Sequence, residues 1–184
     1  MKSSILTFLL SLILATTLVH GAVINVGAGE SIQTAIDNAS AGDTIQLTAP
    51  GNYSGDLNIT KPIKIISWHR DNHNIAGQID VSNLTTDEKV TFKNISVTGK
   101  VNVRSSSLDL IRCHLHEINA TNPTGSDTQL TIVQSNISDK LSSALSRTWV
   151  GYSNLGENYF EGKIELVGND INGKNLGGIG IDLR

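Results

Sequence analysis

The segment WHRDNH, residues 68–73, places an indole, two imidazoles, a guanidinium and a carboxylate next to one another. Groups of these types can transfer protons or contact sugars. The segment falls in a loop after an early predicted strand. We therefore interpret it as a solvated, sugar-contacting or simply polar loop, and not as a catalytic one.

His114 and His116 alternate along one predicted strand, so their side chains are expected on the same face. A pair in this arrangement can bind a metal ion. No third ligand with a matching spacing is apparent, and we interpret the two as surface histidines. The sequence predicts no metal site and no cofactor.

Three acidic residues, Asp80, Asp109 and Glu165, are predicted to point outward from the centres of strands. Asp80 and Glu165 share one position of a repeated strand motif, with Asn102 between them, and lie four repeats apart. At about 4.8 Å per repeat they are roughly 19 Å from each other, which is too far to share one cation. No outward row is predicted to carry carboxylates on successive repeats, and no glycosidase acid pair is assigned. The catalytic residues of any activity are therefore unknown.

Four aromatic residues are the candidates for stacking on sugar rings: Trp68, Trp149, Tyr152 and Tyr159. The last three fall in the segment TWVGYSNLGENYF, residues 148–160, the densest aromatic cluster of the chain. The alternative is an irregular coil that packs its own aromatic side chains.

The elements that would position these residues are short. After a predicted strand at residues 23–26, the segment 31–40 has helical apolar spacing, with Ser31 as a plausible N-cap. From Thr44 onward the chain alternates apolar and polar residues in runs of about four, separated by Gly, Asn, Asp and Ser.

Two sequence rows repeat at a period close to 21 residues. The motif Gly-x-φ-x-φ, where φ is apolar, begins at Gly77, Gly99 and Gly162, with spacings of 22 and 63 residues. The segments VTFKNISV, LDLIRCHL and LTIVQSNI, which begin at residues 90, 108 and 130, form the second row. A shared period indicates coils that stack on one another.

Stacking would bury one ladder of residues inside the coils. The predicted core contacts are Phe92 over Leu110 over Ile132, and Val97 over Leu115 over Ile137. Cys113, the single cysteine, is predicted to point inward in a column with Ile95 and Ser135.

Residues 1–21 have the pattern of a secretory signal peptide, with Lys2, an apolar run from Ile5 to Val19, and small residues before Ala22. We expect a single secreted domain at 22–184, located extracellularly, at the cell surface or in a periplasm, with no membrane span after cleavage. The chain has 14 basic and 17 acidic residues, a net charge of −3, so nucleic acid is not an expected partner.

The segment GGIGIDLR ends the chain directly after an alternating strand, with no predicted cap. An uncapped coil exposes unpaired backbone groups. We expect either a longer native product or self-association through residues 163–184.

Residues 23–67, VINVGAGESIQTAIDNASAGDTIQLTAPGNYSGDLNITKPIKIIS, resemble the N-terminal cap and first coils of the pectate-lyase-like right-handed parallel β-helix superfamily. That opening is shared by pectin methylesterases, copper-site maturation proteins of the NosD type and many surface proteins. The resemblance implies an all-β, single-stranded right-handed parallel β-helix, a solenoid with one N-terminal capping α-helix, and leaves function open.

We expect a non-catalytic surface, adhesive or carbohydrate-contacting module, with a polysaccharide or other glycan as partner. The first alternative is a carbohydrate-active enzyme or a fragment of one, such as a polysaccharide lyase or esterase. The second is a periplasmic accessory protein of the NosD type.

Overall fold

The computed structural model describes residues 21–68 and 73–171, and the backbone of residues 181–183. It has one α-helix, α1 (Ile32–Asn38), among its described residues. The strands of the first half are β1 (Val23–Val26), β2 (Thr44–Leu47), β3 (Gly51–Ser54), β4 (Leu57–Ile59), β5 (Lys64–Ser67), β6 (His73–Ala76), β7 (Ile79–Ser82), β8 (Lys89–Lys93) and β9 (Ser96–Arg104). Those of the second half are β10 (Ser107–Ile111), β11 (His114–Thr121), β12 (Gln129–Val133), β13 (Asn136–Ser143), β14 (Arg147–Gly151), β15 (Asn154–Phe160), β16 (Lys163–Val167), β17 (Asp170–Ile171) and β18 (Ile181–Leu183).

These strands form two parallel sheets that share the same coils. Sheet A has the order β1-β2-β5-β8-β10-β12-β14-β16-β18. Sheet B has the order β17-β15-β13-β11-β9-β6-β3, with β4 and β7 joined to it through β9. Each coil contributes to both sheets, so the predicted right-handed parallel β-helix is confirmed. No helix in the described part of the chain is long and apolar enough to cross a membrane.

The core is a set of apolar columns that run along the helix axis. Phe92, Leu110 and Ile132 are paired in register on successive strands of sheet A, and all three are fully buried. Leu115 pairs in register with Val97 on one side and Ile137 on the other. Both predicted ladders are confirmed, because the alternating pattern of each strand puts every second side chain inside.

The helix α1 closes the N-terminal end of the core. Its N-cap, Ser31, accepts a hydrogen bond from the backbone N–H of Thr34 at 3.2 Å, as predicted. Lys61 of a neighbouring coil lies at the C-terminal end of α1. Its Nζ donates hydrogen bonds to the carbonyls of Ile36, Asp37 and Ala39 at 3.0, 2.9 and 2.7 Å. A cation at this end also suits the helix dipole.

Close backbone stacking explains why two of the predicted motif positions are glycines. A Cβ added to Gly99 would collide with the carbonyl oxygen of Gly77, and one added to Gly77 would collide with that of Gly55. The three glycines form a column where sheet B bends, and the bend leaves no room for a side chain.

The third motif glycine was assigned wrongly. Gly162 precedes β16, which lies in sheet A and pairs with β14, whereas Gly77 and Gly99 lie in sheet B. Gly162 also has a left-handed backbone, φ +90°. The coils between Gly99 and Gly162 differ in length. Their 63-residue separation therefore equals three times the period of 21 residues by coincidence. Glu165 therefore does not share a row with Asp80 and Asn102.

The corner between sheet A and sheet B is built on four successive coils by non-glycine residues in the left-handed region. Asn94, Arg112, Gln134 and Tyr152 have φ between 49° and 56°. Each donates its backbone N–H to a carbonyl of the next coil at 2.9–3.0 Å; the acceptors are Ile111, Val133, Gly151 and Val167. Stacking holds Arg112, Gln134 and Tyr152 in a conformation that residue types other than Gly and Asn rarely adopt.

Small polar side chains line the inner side of this corner. The N–H of Cys113 donates to Ser135 Oγ at 3.0 Å, that of Ser135 to Ser153 Oγ at 3.1 Å, and that of Ser153 to Asn169 Oδ1 at 2.9 Å. These bonds satisfy backbone donors that no sheet partner reaches. Cys113 is fully buried, so its predicted inward orientation is confirmed.

Several predictions fall on residues outside the described ranges. They are residues 1–20 of the predicted signal peptide at 1–21, the loop positions 69–72, and residues 172–180 and 184 of the segment proposed for self-association. Secretion and association through the C-terminal coil therefore stay predictions.

We expect Gly99→Ala to lower the free energy of unfolding by about 2–3 kcal/mol, because the new methyl group forces the stacked backbones apart. Gly27→Ala is the control, since a Cβ there meets only Glu30 Oε2 at the ordinary distance of 3.4 Å. Urea unfolding of the two variants measures the difference. Equal stability of both would contradict the stacking explanation.

We expect Arg112→Gly to be more stable than Arg112→Ala by about 1 kcal/mol, because only glycine adopts the left-handed corner without steric cost. Both variants lose the same guanidinium, so the comparison isolates the backbone. Chemical denaturation provides the measurement. An alanine variant as stable as the glycine variant would show that the corner carries no strain.

Candidate functional site

An open groove of about 740 Å³ runs along the corner between the two sheets. We call it the corner groove. It is lined by Trp68, Asn94, Arg112, His114, Gln134, Ser135, Asn136, Tyr152 and Asn154.

Two parallel rows of side chains form the groove. The first row contains the left-handed corner residues Arg112, Gln134 and Tyr152. The second row consists of the residues two positions later, which begin β11, β13 and β15 and are paired in register: His114, Asn136 and Asn154. Between the rows, the inward residues Cys113, Ser135 and Ser153 leave a depression. The periodic corner thus repeats one recess on successive coils, about 4.8 Å apart.

Exposed aromatic side chains stand near both ends of the groove. Trp68 directly follows β5 and is 72% exposed, and Tyr152 follows β14 and is 66% exposed. Four inter-strand steps of sheet A separate them, which corresponds to roughly 19 Å along the axis. The Tyr152 ring lies against the corner of the next coil, where a Cβ added to Gly168 would be 3.0 Å from it. Both rings expose an apolar face that a ligand can cover.

The other two aromatic candidates lie elsewhere. Trp149 projects from the outer face of sheet A, is half-buried, and covers Gly151 with its indole ring. Tyr159 lies on sheet B opposite Ser142 and donates its hydroxyl to Glu161. That hydrogen bond and the nearby carboxylate charge raise the pKa of Tyr159. The structure therefore brings Trp68 and Tyr152 together in one groove and separates Trp149 and Tyr159 from it.

The groove is polar and contains the guanidinium of Arg112, in a chain whose net charge is −3. Its described lining includes Arg112 and His114 and no carboxylate. Arg112 Nε donates to Gln134 Oε1 at 3.1 Å, which uses one of the five guanidinium N–H donors. The remaining donors of Arg112 and the amide side chains are groups that bind hydroxyls and carboxylates.

Two of the three predicted acidic residues, Asp80 and Asp109, have partners outside the groove. Asp80 accepts hydrogen bonds from Asn102 at 2.7 Å and from Gln78 at 2.8 Å, which confirms that Asp80 and Asn102 are adjacent. Asp109 forms an ion pair with Lys89 at 2.5 Å. Neither arrangement leaves two carboxylates facing each other.

One backbone pairing of two acidic residues was not predicted from the sequence. The backbone register of β16 and β18 pairs Glu165 with Asp182 on successive coils. The sequence did not predict it because Glu165 was assigned to the motif row of Asp80 and Asn102. Among the described residues, no group of three or more His, Cys, Asp or Glu side chains is arranged to hold a metal ion.

The histidines do not act as one group. His114 and His116 are both exposed on β11, as expected, but His114 lines the corner groove while His116 lies 3.7 Å from Asp139. His73, from the predicted polar loop, is buried and forms a 2.7 Å hydrogen bond between its Nδ1 and Ser67 Oγ. The expectation of a solvated loop was therefore wrong for His73, since it begins β6.

Sequence reasoning missed most of the groove. Asn94, Arg112 and Gln134 occupy the same fifth position of the three aligned segments VTFKNISV, LDLIRCHL and LTIVQSNI. That alignment was visible in the sequence. The row faces outward because its backbone is left-handed, a conformation that Asn94 favours but that Arg112 and Gln134 do not indicate.

No protein-family model and no curated protein matches the sequence. Among solved structures, the chain is similar to a mutant of the PL6 family alginate lyase AlyGC, with a TM-score of 0.52 and 12% sequence identity. The alignment covers 88% of this chain and 39% of that one, so the chain spans well under half of the lyase's length. At this identity the likeness concerns the fold alone. Together with the sheet topology, it shows that the chain has a parallel β-helix fold.

Proposed function

We propose that this chain is an exported, non-catalytic β-helix module that binds a polysaccharide in the corner groove. The observation that carries the proposal is the placement of Trp68 and Tyr152 at the two ends of a polar groove. The polysaccharide lies parallel to the helix axis, since both rows of groove residues run in that direction.

The aromatic rings supply apolar contact area for the faces of sugar rings. Both side chains are more than 60% exposed in the free protein, so binding removes apolar surface from water without first breaking core packing. The groove between them carries the amides of Asn94, Asn136 and Asn154. Amides donate and accept hydrogen bonds, as sugar hydroxyls do.

The charge of the groove favours a polysaccharide that contains uronic acids. Arg112 offers the planar fork of donors that binds carboxylates, and no acidic side chain of the described lining opposes it. The fold shared with an alginate lyase supports the same ligand class, because alginate is a polymer of uronic acids.

We expect Trp68→Ala and Tyr152→Ala each to weaken binding of an alginate or pectate oligosaccharide about three- to ten-fold, because each removes one aromatic contact. Tyr159→Ala is the matched control, as it removes a surface tyrosine outside the groove. Titration calorimetry provides the affinities. A loss at Tyr159 as large as that at Tyr152 would place the ligand on another face.

A second candidate function is polysaccharide lysis by β-elimination. Arg112 and His114 lie in the same groove as the Tyr152 hydroxyl, so one group could neutralise a uronate carboxylate while others move protons. In that reaction a base removes the proton beside the carboxylate, a carbon–carbon double bond forms, and the glycosidic carbon–oxygen bond breaks. The leaving oxygen then takes a proton.

We expect incubation with alginate or pectate, with and without calcium, to yield no unsaturated uronate while binding is measurable. Ultraviolet absorbance of the double bond is the readout. Unsaturated product that disappears in His114→Ala, with the affinity of that variant retained, would establish the lyase and overturn the non-catalytic assignment.

A further inference from the structure

Asp43 is a buried carboxylate at the N-terminal end of the solenoid, and its two oxygens accept from different segments. Oδ1 accepts from the backbone nitrogen of Ala22 at 2.7 Å, and Oδ2 from that of Ser40 at 2.7 Å. The residue is only 8% exposed. In the part of the chain that the structure describes, no side-chain cation forms an ion pair with it.

Burying a carboxylate that accepts hydrogen bonds only from neutral amides costs free energy, because amide dipoles replace the lost hydration incompletely. An ammonium group in the position of one amide would add a full opposite charge at the same distance. Ala22, where the signal-peptide pattern predicts cleavage, is the residue whose nitrogen occupies that position.

We propose that Asp43 is the receptor for a new chain terminus, the α-ammonium group of Ala22 that cleavage of the precursor creates. Hydrolysis of the Gly21–Ala22 peptide bond by a signal peptidase consumes one water. It leaves a carboxylate on Gly21 and an ammonium on Ala22. Cleavage thus replaces the hydrogen bond between the neutral amide of Ala22 and the Asp43 carboxylate with an ion pair. The ion pair stabilises the exported form relative to the precursor.

The surroundings of Ala22 suit both the cleavage and the docking. Ala22 is exposed, while its carbonyl accepts from the N–H of Thr44 at 2.8 Å, which holds the residue in line with sheet A. Gly21 packs directly on Gly42, and a Cβ added to Gly21 would collide with the carbonyl oxygen of Gly42. Its removal opens space beside the new ammonium group.

The charged groups of the neighbouring segments are few. Lys61 donates to the C-terminal carbonyls of α1, and Asp37 of that helix accepts from Gln33 at 2.7 Å. Lys64 begins β5 with an exposed side chain and donates its backbone N–H to the carbonyl of Asp43 at 3.0 Å. The α-ammonium is therefore the group in this region that loses its charge between about pH 7 and pH 10.

The test uses the full chain with its leader, expressed in a secreting host, and its exported product. Intact-mass analysis is expected to give Ala22 as the first residue. Because Asp43 raises the pKa of the folded-state amine above its unfolded value of about 7.7–8.0, the stabilisation is present below that value. It is lost as pH rises through the folded pKa.

We therefore compare the difference in Tm between the wild type and Asp43→Asn at two pH values. This difference is expected to be larger at pH 6.5 than at pH 10, by about 3–6 °C. Asp56→Asn is the matched control, since Asp56 Oδ1 also accepts from a backbone N–H, that of Gln78, at 2.8 Å. Its Tm difference from the wild type should be the same at both pH values.

If Asp43→Asn does not fold, acylation of the α-amine in the wild type gives the same information. The paired ammonium should react at pH 7 more slowly in the native protein than in urea. An exported chain that begins at another residue would overturn the proposal. So would a Tm difference for Asp43→Asn that is independent of pH, or an α-amine that reacts equally fast in both states.

Discussion

The structure depends on the backbone hydrogen bonds that join one coil to the next at the corner between its two sheets. Four successive corner residues, Asn94, Arg112, Gln134 and Tyr152, donate their N–H groups along the stack. This pairing holds large side chains in a left-handed backbone that they would not adopt alone. The inward residues that follow Arg112, Gln134 and Tyr152 are small, Cys113, Ser135 and Ser153. Their backbone N–H groups donate to the side chain of the next coil.

That constraint also creates the candidate site. A left-handed residue turns the chain so that its own side chain and the one two positions later both point outward, on either side of a buried residue. Repetition on each coil aligns the two rows, and the groove between Trp68 and Tyr152 results. The same stacking that buries Phe92, Leu110 and Ile132 therefore sets the spacing at which a polymeric ligand would be contacted.

The sequence predicted the solenoid, the capping helix and both core ladders because alternation and period determine which side chains share a column. It did not separate sheet A from sheet B. The coils differ in length, with inward corner residues spaced 22, 18 and 16 positions apart at Cys113, Ser135, Ser153 and Asn169. A motif beginning at Gly162 could therefore match the period and still belong to the other sheet. Trp68 and Tyr152 were predicted individually, but their placement in one groove required the coordinates.

Nuclear magnetic resonance of the labelled protein during titration with an alginate or pectate oligosaccharide tests the central claim most directly, since it maps the ligand without assuming a site. We predict that the largest amide shifts cluster at Asn94, Arg112, Gln134 and Tyr152 and at the first residues of β11, β13 and β15. Shifts concentrated around Asp80, Asn102 and Tyr159 on sheet B, or around Lys89 and Asp109 on sheet A, would contradict it.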